Sequence, residues 1–504
     1  MRTPDCTIAG IILLIAVSLL FPARASAQQD QCYSCHDLLE DAPSQAFGSD
    51  VHRAAGLTCA HCHGGDASEE DMDIAMSAEK GFIGVPTGMA ISKRCADCHD
   101  DEEAMQLFGY SGETGQLETL HGSAHARGIG EDAEPLLQCT DCHGAHGIRE
   151  TDDPASPVSP LRVVGLCSSC HASPEIMRRY NPSLPTDQLA KYRTSVHGER
   201  NLRGDPRTAT CADCHTAHDI RPAKEATSSV HPLNIPQTCG QCHADQEYMS
   251  GYDIPTNQLS LFRTSVHGAA LLERRELSAP SCNDCHGNHG AAPPNVASIS
   301  NVCGTCHALN AELFRDSRHA VEFERMGYPE CETCHGNHGV TAATEALLRV
   351  DEGSLCGRCH SETEAPLGYR AAIRMRTLLD SLMLTIDAAD RAIARAEQKG
   401  MEVADIRFAL RDARQARLQT RTSVHAFELD AFREVVDPGL ATARHSLSAA
   451  REANDEYYYR RRGLAVATLI ITGMVVLLFF YIRRIEHRDD GRDTPADTSG
   501  GAAS

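Results

Sequence analysis

The chain has 504 residues, a formal net charge of −22, 23 cysteines, 26 histidines and no tryptophan. Such acidity excludes nucleic acid as a partner and favours basic faces on other proteins. Aromatic residues make up only 5% of the chain, which excludes an ordinary domain built around a large aromatic core.

The first segment is read as a secretion signal. Arg2 supplies the positive end, Ile8 to Phe21 form an apolar stretch, and Ala25-Ser26-Ala27 fits a small-residue cleavage site. Cleavage after Ala27 removes Cys6, the one cysteine outside the pattern that follows. The expected mature protein therefore begins at residue 28, outside the cytoplasm.

From there, Cys-x-x-Cys-His recurs eleven times. The copies are Cys32, Cys35 and His36; Cys59, Cys62 and His63; Cys95, Cys98 and His99; Cys139, Cys142 and His143; Cys167, Cys170 and His171; Cys211, Cys214 and His215. They continue with Cys239, Cys242 and His243; Cys282, Cys285 and His286; Cys303, Cys306 and His307; Cys331, Cys334 and His335; Cys356, Cys359 and His360. Each copy has the form of a c-type haem attachment site, with two thiols for the vinyl groups and a proximal histidine for the iron. Structural zinc or a disulfide framework would use paired cysteines without requiring a histidine directly after the second. The expected cofactor set is eleven covalently attached c-type haems over residues 28–365. The macrocycles would supply the apolar core that the intervening Gly-, Pro-, Asp- and Ser-rich sequence lacks, so folding and haem attachment should be coupled.

After Cys32 the motifs fall into five pairs, each introduced by a histidine: His52, His125, His197, His267 and His319. Two introductions read Arg193-Thr-Ser-Val-His197-Gly and Arg263-Thr-Ser-Val-His267-Gly, and the phrase returns at Arg421-Thr-Ser-Val-His425. A second class follows the first motif of most pairs at fixed distance: His146, His218, His289 and His338. Glycines beside them permit close backbone approach to a macrocycle, and each is placed to reach the iron of a neighbouring haem. With His231 and His425 these make eleven distal candidates for eleven irons, with His121 an alternative to His125. Two imidazoles per iron would suit low-potential electron transfer. His61, His445 and His487 are read as surface residues. One departure is Gly64-Gly65-Asp66, which stands where sibling motifs carry their second histidine. An open iron among the first three haems would be the natural place for small-molecule chemistry; repeat drift at the N-terminal end is the plainer explanation.

Beyond Glu364 the pattern becomes helical. Met375, Leu379, Leu382, Ile386, Ala389 and Ile393 form a stripe at spacings of three and four. A break is expected at Gln398-Lys-Gly400, then a second helix from Glu402 to Val436 ending near Asp437-Pro-Gly439, then a third from Ala441. Residues 366–460 form this bundle or stalk, with His425 folded back over the last haems. A transmembrane anchor is expected over 461–484, its apolar run Gly463 to Ile482 flanked by Tyr457–Tyr459, Tyr481 and arginines at both ends. Residues 485–504 would be a short, disordered cytoplasmic tail.

These paired motifs, the Arg-Thr-Ser-Val-His phrases and the helices after Cys356 resemble the multihaem cytochrome c superfamily. The branch is the one related to octahaem hydroxylamine oxidoreductase and tetrathionate reductase cytochromes. The resemblance covers about residues 30–440. It implies a mainly α fold with extensive coil, built from repeated haem-pair units and followed by long helices and one transmembrane helix. It also implies oligomer contacts through residues 370–450 and an iron ligand at His425. No motif carries the Lys of the family's nitrite reductases, and Tyr328, Tyr369 and Tyr457–Tyr459 are not assigned the crosslinking role of the hydroxylamine oxidoreductase tyrosine. The expected function is a membrane-anchored, extracytoplasmic electron-transfer cytochrome, with its haem domain in the periplasm or at the cell surface. Its partners would be redox proteins, such as a membrane quinol-oxidising module or a terminal reductase. A multihaem oxidoreductase acting on a small nitrogen or sulfur compound, and a scaffold subunit of a respiratory complex, are the alternatives. Homo-oligomerisation through the helical stripe is a further option.

Overall fold

The computed structural model describes residues 30–110, 112–126, 137–293 and 300–489. The expected signal segment, with Cys6, and residues 490–504 of the expected tail lie outside the described residues. Every regular element among the described residues is helical. Packing divides the chain into two compact units, Met1–Asn295 and Val296–Ser504. The division falls within the motif region, at 295/296 and not at 365/366. The last three motifs share a unit with the long helices because Leu348 enters the helical core and Arg417 reaches Glu345 at 3.8 Å.

In the N-terminal unit the motifs occupy two kinds of helix. One kind is a single turn: Cys59–His63, Cys139–His143, Cys211–His215 and Cys282–His286. So short a helix needs its end satisfied, and a reciprocal cap does this. The N–H groups of Thr210 and Ser281 each donate to the Asp two residues into the motif, both at 2.7 Å. His61 does the same work by accepting from the Thr58 N–H at 2.9 Å. The chain then leaves through a left-handed residue: Gly64, Gly144 and Gly287 at φ +69°, +80° and +84°, and Thr216 at +67°. The other kind is longer and carries its motif in the last turns: Met89–His99, Val163–His171 and Ile235–His243.

Few apolar side chains are buried in this unit, chiefly Ala67, Ala75, Met105, Val163, Val164, Met177, Met249, Ala270 and Leu271. Most are small or flexible, so protein atoms alone bury little apolar area per ordered residue.

The C-terminal unit carries three long helices, α1 (Pro366–Gln398), α2 (Ala404–Ser423) and α3 (Leu429–Asp489). The expected stripe is the buried one: Met375, Leu379, Leu382, Ile386, Ala389 and Ile393 pack with Leu410, Phe432, Val436 and Leu440. Pro366 opens α1 where a missing N–H costs nothing, and Gly400 at φ +76° closes it.

The second break differs from expectation. α2 stops at Ser423, a 3₁₀ turn holds Val424–Ala426, Phe427 is left-handed at φ +53°, and α3 runs on through Pro438. Gly439 explains why Asp437-Pro-Gly439 is not a terminator. It lies against α2, where an added Cβ would stand 2.5 Å from the Ala416 Cβ. The glycine serves close helix packing, and the real break presents His425.

Beyond the bundle, residues 460–487 of α3 are exposed along their whole length. This is one helix long and apolar enough to cross a membrane.

Candidate haem-binding site

His52, His197, His267 and His319 sit in the first turn of capped helices, whereas His125 lies in a turn after Gln116–Gly122 with its N–H donating to the Ser123 hydroxyl at 3.2 Å. The Ser195 hydroxyl accepts from the Gly198 N–H at 2.9 Å and that of Ser265 from Gly268 at 3.0 Å. Asp50 caps in the same way by accepting from the His52 N–H at 2.9 Å. Glycine follows the histidine for a steric reason. A Cβ on Gly198 would lie 2.0 Å from the Tyr192 carbonyl oxygen, and one on Gly268 1.9 Å from that of Phe262. The phrase Ser-Val-His-Gly is thus a cap, a spacer, a functional ring and a contact that only glycine fits.

The two histidine classes are tied together by backbone. In three repeats the N–H just before the introducing histidine donates to the carbonyl two residues after a second-class histidine downstream. These bonds are Val51 to Ile148 at 2.9 Å, Ala124 to Ile220 at 2.7 Å and Val196 to Ala291 at 3.1 Å. Asp50 adds a bond from the Ile148 N–H at 2.7 Å. These bonds latch three repeats to their successors.

Against this frame the motif histidines face partner rings. His63 opposes His146, His143 opposes His218 and His215 opposes His289, at centroid separations of 6.0, 6.2 and 6.1 Å. His99 opposes His52, His171 opposes His125 and His243 opposes His197, at 5.9, 6.0 and 6.1 Å. In the C-terminal unit His335 opposes His425 at 6.1 Å and His360 opposes His319 at 5.9 Å. An iron between two imidazoles requires about 6.3 Å, from two bonds of about 2.0–2.1 Å and roughly 1.1 Å from each nitrogen to its ring centre. The eight separations leave room for that and little else. Ring planes separate the pairs into two kinds. Partners of first motifs lie at 9°, 16°, 11° and 23°, and partners of second motifs at 88°, 44°, 49° and 60°.

Burial pushes His99, His125, His143, His146, His197, His215, His335 and His425 below the ordinary imidazole value, and the facing or neighbouring histidine pushes them further. The sites thus hold neutral imidazole, the form that binds metal. Several rings are oriented through Nδ1: His63 to the Gly84 carbonyl at 2.8 Å, His425 to that of Thr422 at 2.9 Å, and His286 to that of Ala292 at 3.1 Å. Each bond leaves Nε2 for the iron.

The thiols form a row in motif order. Cys95 hydrogen-bonds Cys139, Cys167 bonds Cys211, Cys239 bonds Cys282 and, in the C-terminal unit, Cys303 bonds Cys331. Cys59 is pushed up to about 12 by burial, with Asp30 and then Cys32 adding to it. Between these contacts the second cysteines lie within electrostatic reach of one another: Cys62 and Cys98, Cys142 and Cys170, Cys214 and Cys242, and Cys334 and Cys359. Consecutive motifs thus meet alternately through first and second thiols. None of the 22 described cysteines is in a disulfide. Among the described residues no group of three or more His, Cys, Asp or Glu converges to hold a single ion, so the geometry fits flat groups attached in series.

The remaining candidates are placed differently. His125, not His121, faces a motif histidine; His121 is exposed in the last turn of Gln116–Gly122. His231 is buried, and its Nδ1 accepts from the Leu233 N–H at 3.3 Å. The backbone bonds Ser228→Glu225, His231→Ser228 and Asn234→His231 repeat Ser156→Asp153, Ser159→Ser156 and Arg162→Ser159 of the preceding repeat. His231 therefore takes the place of Ser159, and among the described residues no second histidine ring faces it. His267, His286, His307 and His338 belong by their sequence positions to the same sets as their siblings.

Comparison with known proteins agrees with this geometry. The cytochrome c3 family matches residues 51–172, and the doubled CXXCH motif family matches residues 325–365. The C-type polyheme cytochrome OmcB of Geobacter sulfurreducens is 26% identical over 204 residues, covering 29% of this chain and 25% of that protein. The multiheme cytochrome MtrA of Shewanella baltica is 25% identical over 228 residues, covering 42% of this chain and 52% of that one. The chain thus spans a quarter to a half of the length of these relatives. Motifs, helical fold and matches together make the chain similar to multihaem c-type cytochromes.

Proposed function

We propose that each of the eleven motifs carries one covalently attached haem and that paired histidines ligate ten of them, so that the chain is an electron conductor. The observation that carries this reading is the set of eight opposed rings at 5.9–6.2 Å. The distal ligands are His52, His125, His146, His197, His218, His267, His289, His319, His338 and His425. His231 is left out of the set because its sibling position holds a serine. Two imidazoles would fill each of these ten irons, which suits repeated electron exchange with little change in geometry. The haems supply the redox chemistry when bound; the chain orients the imidazoles, keeps them neutral and sets consecutive thiols close together.

The exposed apolar length of α3 supports anchoring in a bilayer, with the motif-bearing region outside the cytoplasm. The protein would pass electrons between a quinol-oxidising module or terminal reductase in the membrane and acceptors beyond it. Haem quantification per chain by pyridine haemochrome and mass spectrometry tests the cofactor count, and eleven is the expected value. Potentiometry of the purified full chain tests conduction, with every low-spin haem expected to titrate without an added substrate.

A further inference from the structure

We infer that the haem carried by Cys32, Cys35 and His36 has an open sixth position, which takes a small inorganic molecule or anion directly on the iron. The inference rests on the haem reading above and deepens it by singling out one site.

The repeat rule identifies the site. An introducing histidine serves the second motif of its own repeat, as His52 faces His99, His125 faces His171 and His197 faces His243. A second-class histidine serves the first motif of the repeat before it, as His146 faces His63 and His218 faces His143. The Cys59 N–H donates to Asp30, just before Cys32, at 3.0 Å, as the Cys139 N–H donates to Ser92, just before Cys95, at 3.2 Å, where a second motif meets the next first motif. The Cys32 motif is therefore the second half of a leading repeat. Its ligand should come from an introducing histidine, and His52, His125, His197 and His319 face the later motif histidines His99, His171, His243 and His360. Gly64-Gly65-Asp66 follows from the same rule. A histidine there would serve a first motif, not the second-type motif of His36. The chain is used for packing instead: a Cβ on Gly64 would lie 2.0 Å from the Gly81 carbonyl oxygen, and Asp66 pairs with Lys80 at 2.9 Å.

The proximal side is also distinct. His36 Nδ1 lies 2.5 Å from the Asp41 carboxylate, where His63 uses a backbone carbonyl. Asp41 is fixed by accepting from the Ser44 N–H at 2.8 Å as the cap of the next helix. Among the described residues no histidine ring faces His36, whose side chain is 48% exposed. A carboxylate on the far nitrogen raises the basicity of the ligating one. An electron-rich iron open on one face, at the end of a row of closed ones, is where electrons would meet a small ligand.

The test uses the full-length, haem-loaded protein with carbon monoxide as the probe. The expected results are one high-spin ferric haem by electron paramagnetic resonance and one carbon monoxide bound per chain after reduction. In the Asp41→Asn variant the iron–histidine stretch of that haem should shift to lower frequency in resonance Raman spectra, with the low-spin bands unmoved. A fully loaded protein that is entirely low spin and binds no carbon monoxide overturns the inference while leaving the conductor reading intact. Binding with an iron–histidine stretch that Asp41→Asn does not move overturns the assignment to His36. A chain that attaches no haem removes both.

Discussion

His63 and His146 face each other with centroids 6.0 Å apart and ring planes 9° from parallel. They belong to different repeats, so each such pair joins the repeats that supply it. Ligation and repeat stacking are one structural event, which explains how a unit with so few buried apolar side chains holds a defined shape.

Removing one partner should therefore open one iron. In His197→Ala the haem attached at Cys239 and Cys242 loses the ring facing His243 and is expected to change from low to high spin. Magnetic circular dichroism should register that loss as one haem of the set. An unchanged low-spin content in a fully loaded variant would sink the assignment. His231→Ser, which installs the sibling residue, should leave the low-spin content unchanged.

The glycine after the introducing histidine makes a separate prediction. Gly198→Ala forces a Cβ to within 2.0 Å of the Tyr192 carbonyl, and backbone there has little freedom to move. The cost is expected at about 1–3 kcal/mol, read as a lower melting temperature together with weakened ligation opposite His243. Gly165→Ala is the control, since nothing lies within 4 Å of the added atom; its melting temperature should stay the same or rise.

The helical bundle should respond as an ordinary core. Leu382 is fully buried between α1 and its neighbours, and Leu382→Ala should cost about 2–5 kcal/mol. The loss should appear in thermal unfolding of the C-terminal unit, while visible spectra of the haems opposite His52, His125 and His197 remain as in the parent.

The effect of pH has a definite sign. Burial lowers the value of the distal histidines His125, His146 and His197, so the folded state favours neutral rings and the unfolded chain binds protons first. The stability these rings contribute is present above the unfolded imidazole value of about 6.5 and is lost as pH falls below it. Iron acts in the same direction by competing with the proton. Low-spin spectra should hold through the ordinary imidazole range, with conversion to high spin only at more acid pH. Conversion centred at the ordinary value would contradict both causes.

Much of the site was legible because its chemistry requires contiguous residues. Cys-x-x-Cys-His names the attachment, and Ser-Val-His-Gly combines cap, ligand and steric requirement in four positions. The latch from Val51 to Ile148 was not legible, since a backbone bond between distant segments leaves no residue signature. At His231 the two signals diverge: eleven candidates match eleven motifs, whereas the position within the repeat is shared with Ser159. Asp437-Pro-Gly439 misled because glycine serves close helix packing as readily as helix termination, and only the proximity of Ala416 distinguishes the two.

Electron paramagnetic resonance of the oxidised full-length protein, normalised to its haem content, tests the central claim most directly. Near-parallel imidazole planes give rhombic low-spin signals, whereas crossed planes bring the iron orbitals toward degeneracy and give a large-g axial signal. The opposed rings predict both low-spin kinds in comparable amounts, from pairs such as His63–His146 at 9° and His52–His99 at 88°, with one high-spin haem beside them. A spectrum dominated by high-spin iron, or a single low-spin kind, would contradict the paired-histidine account.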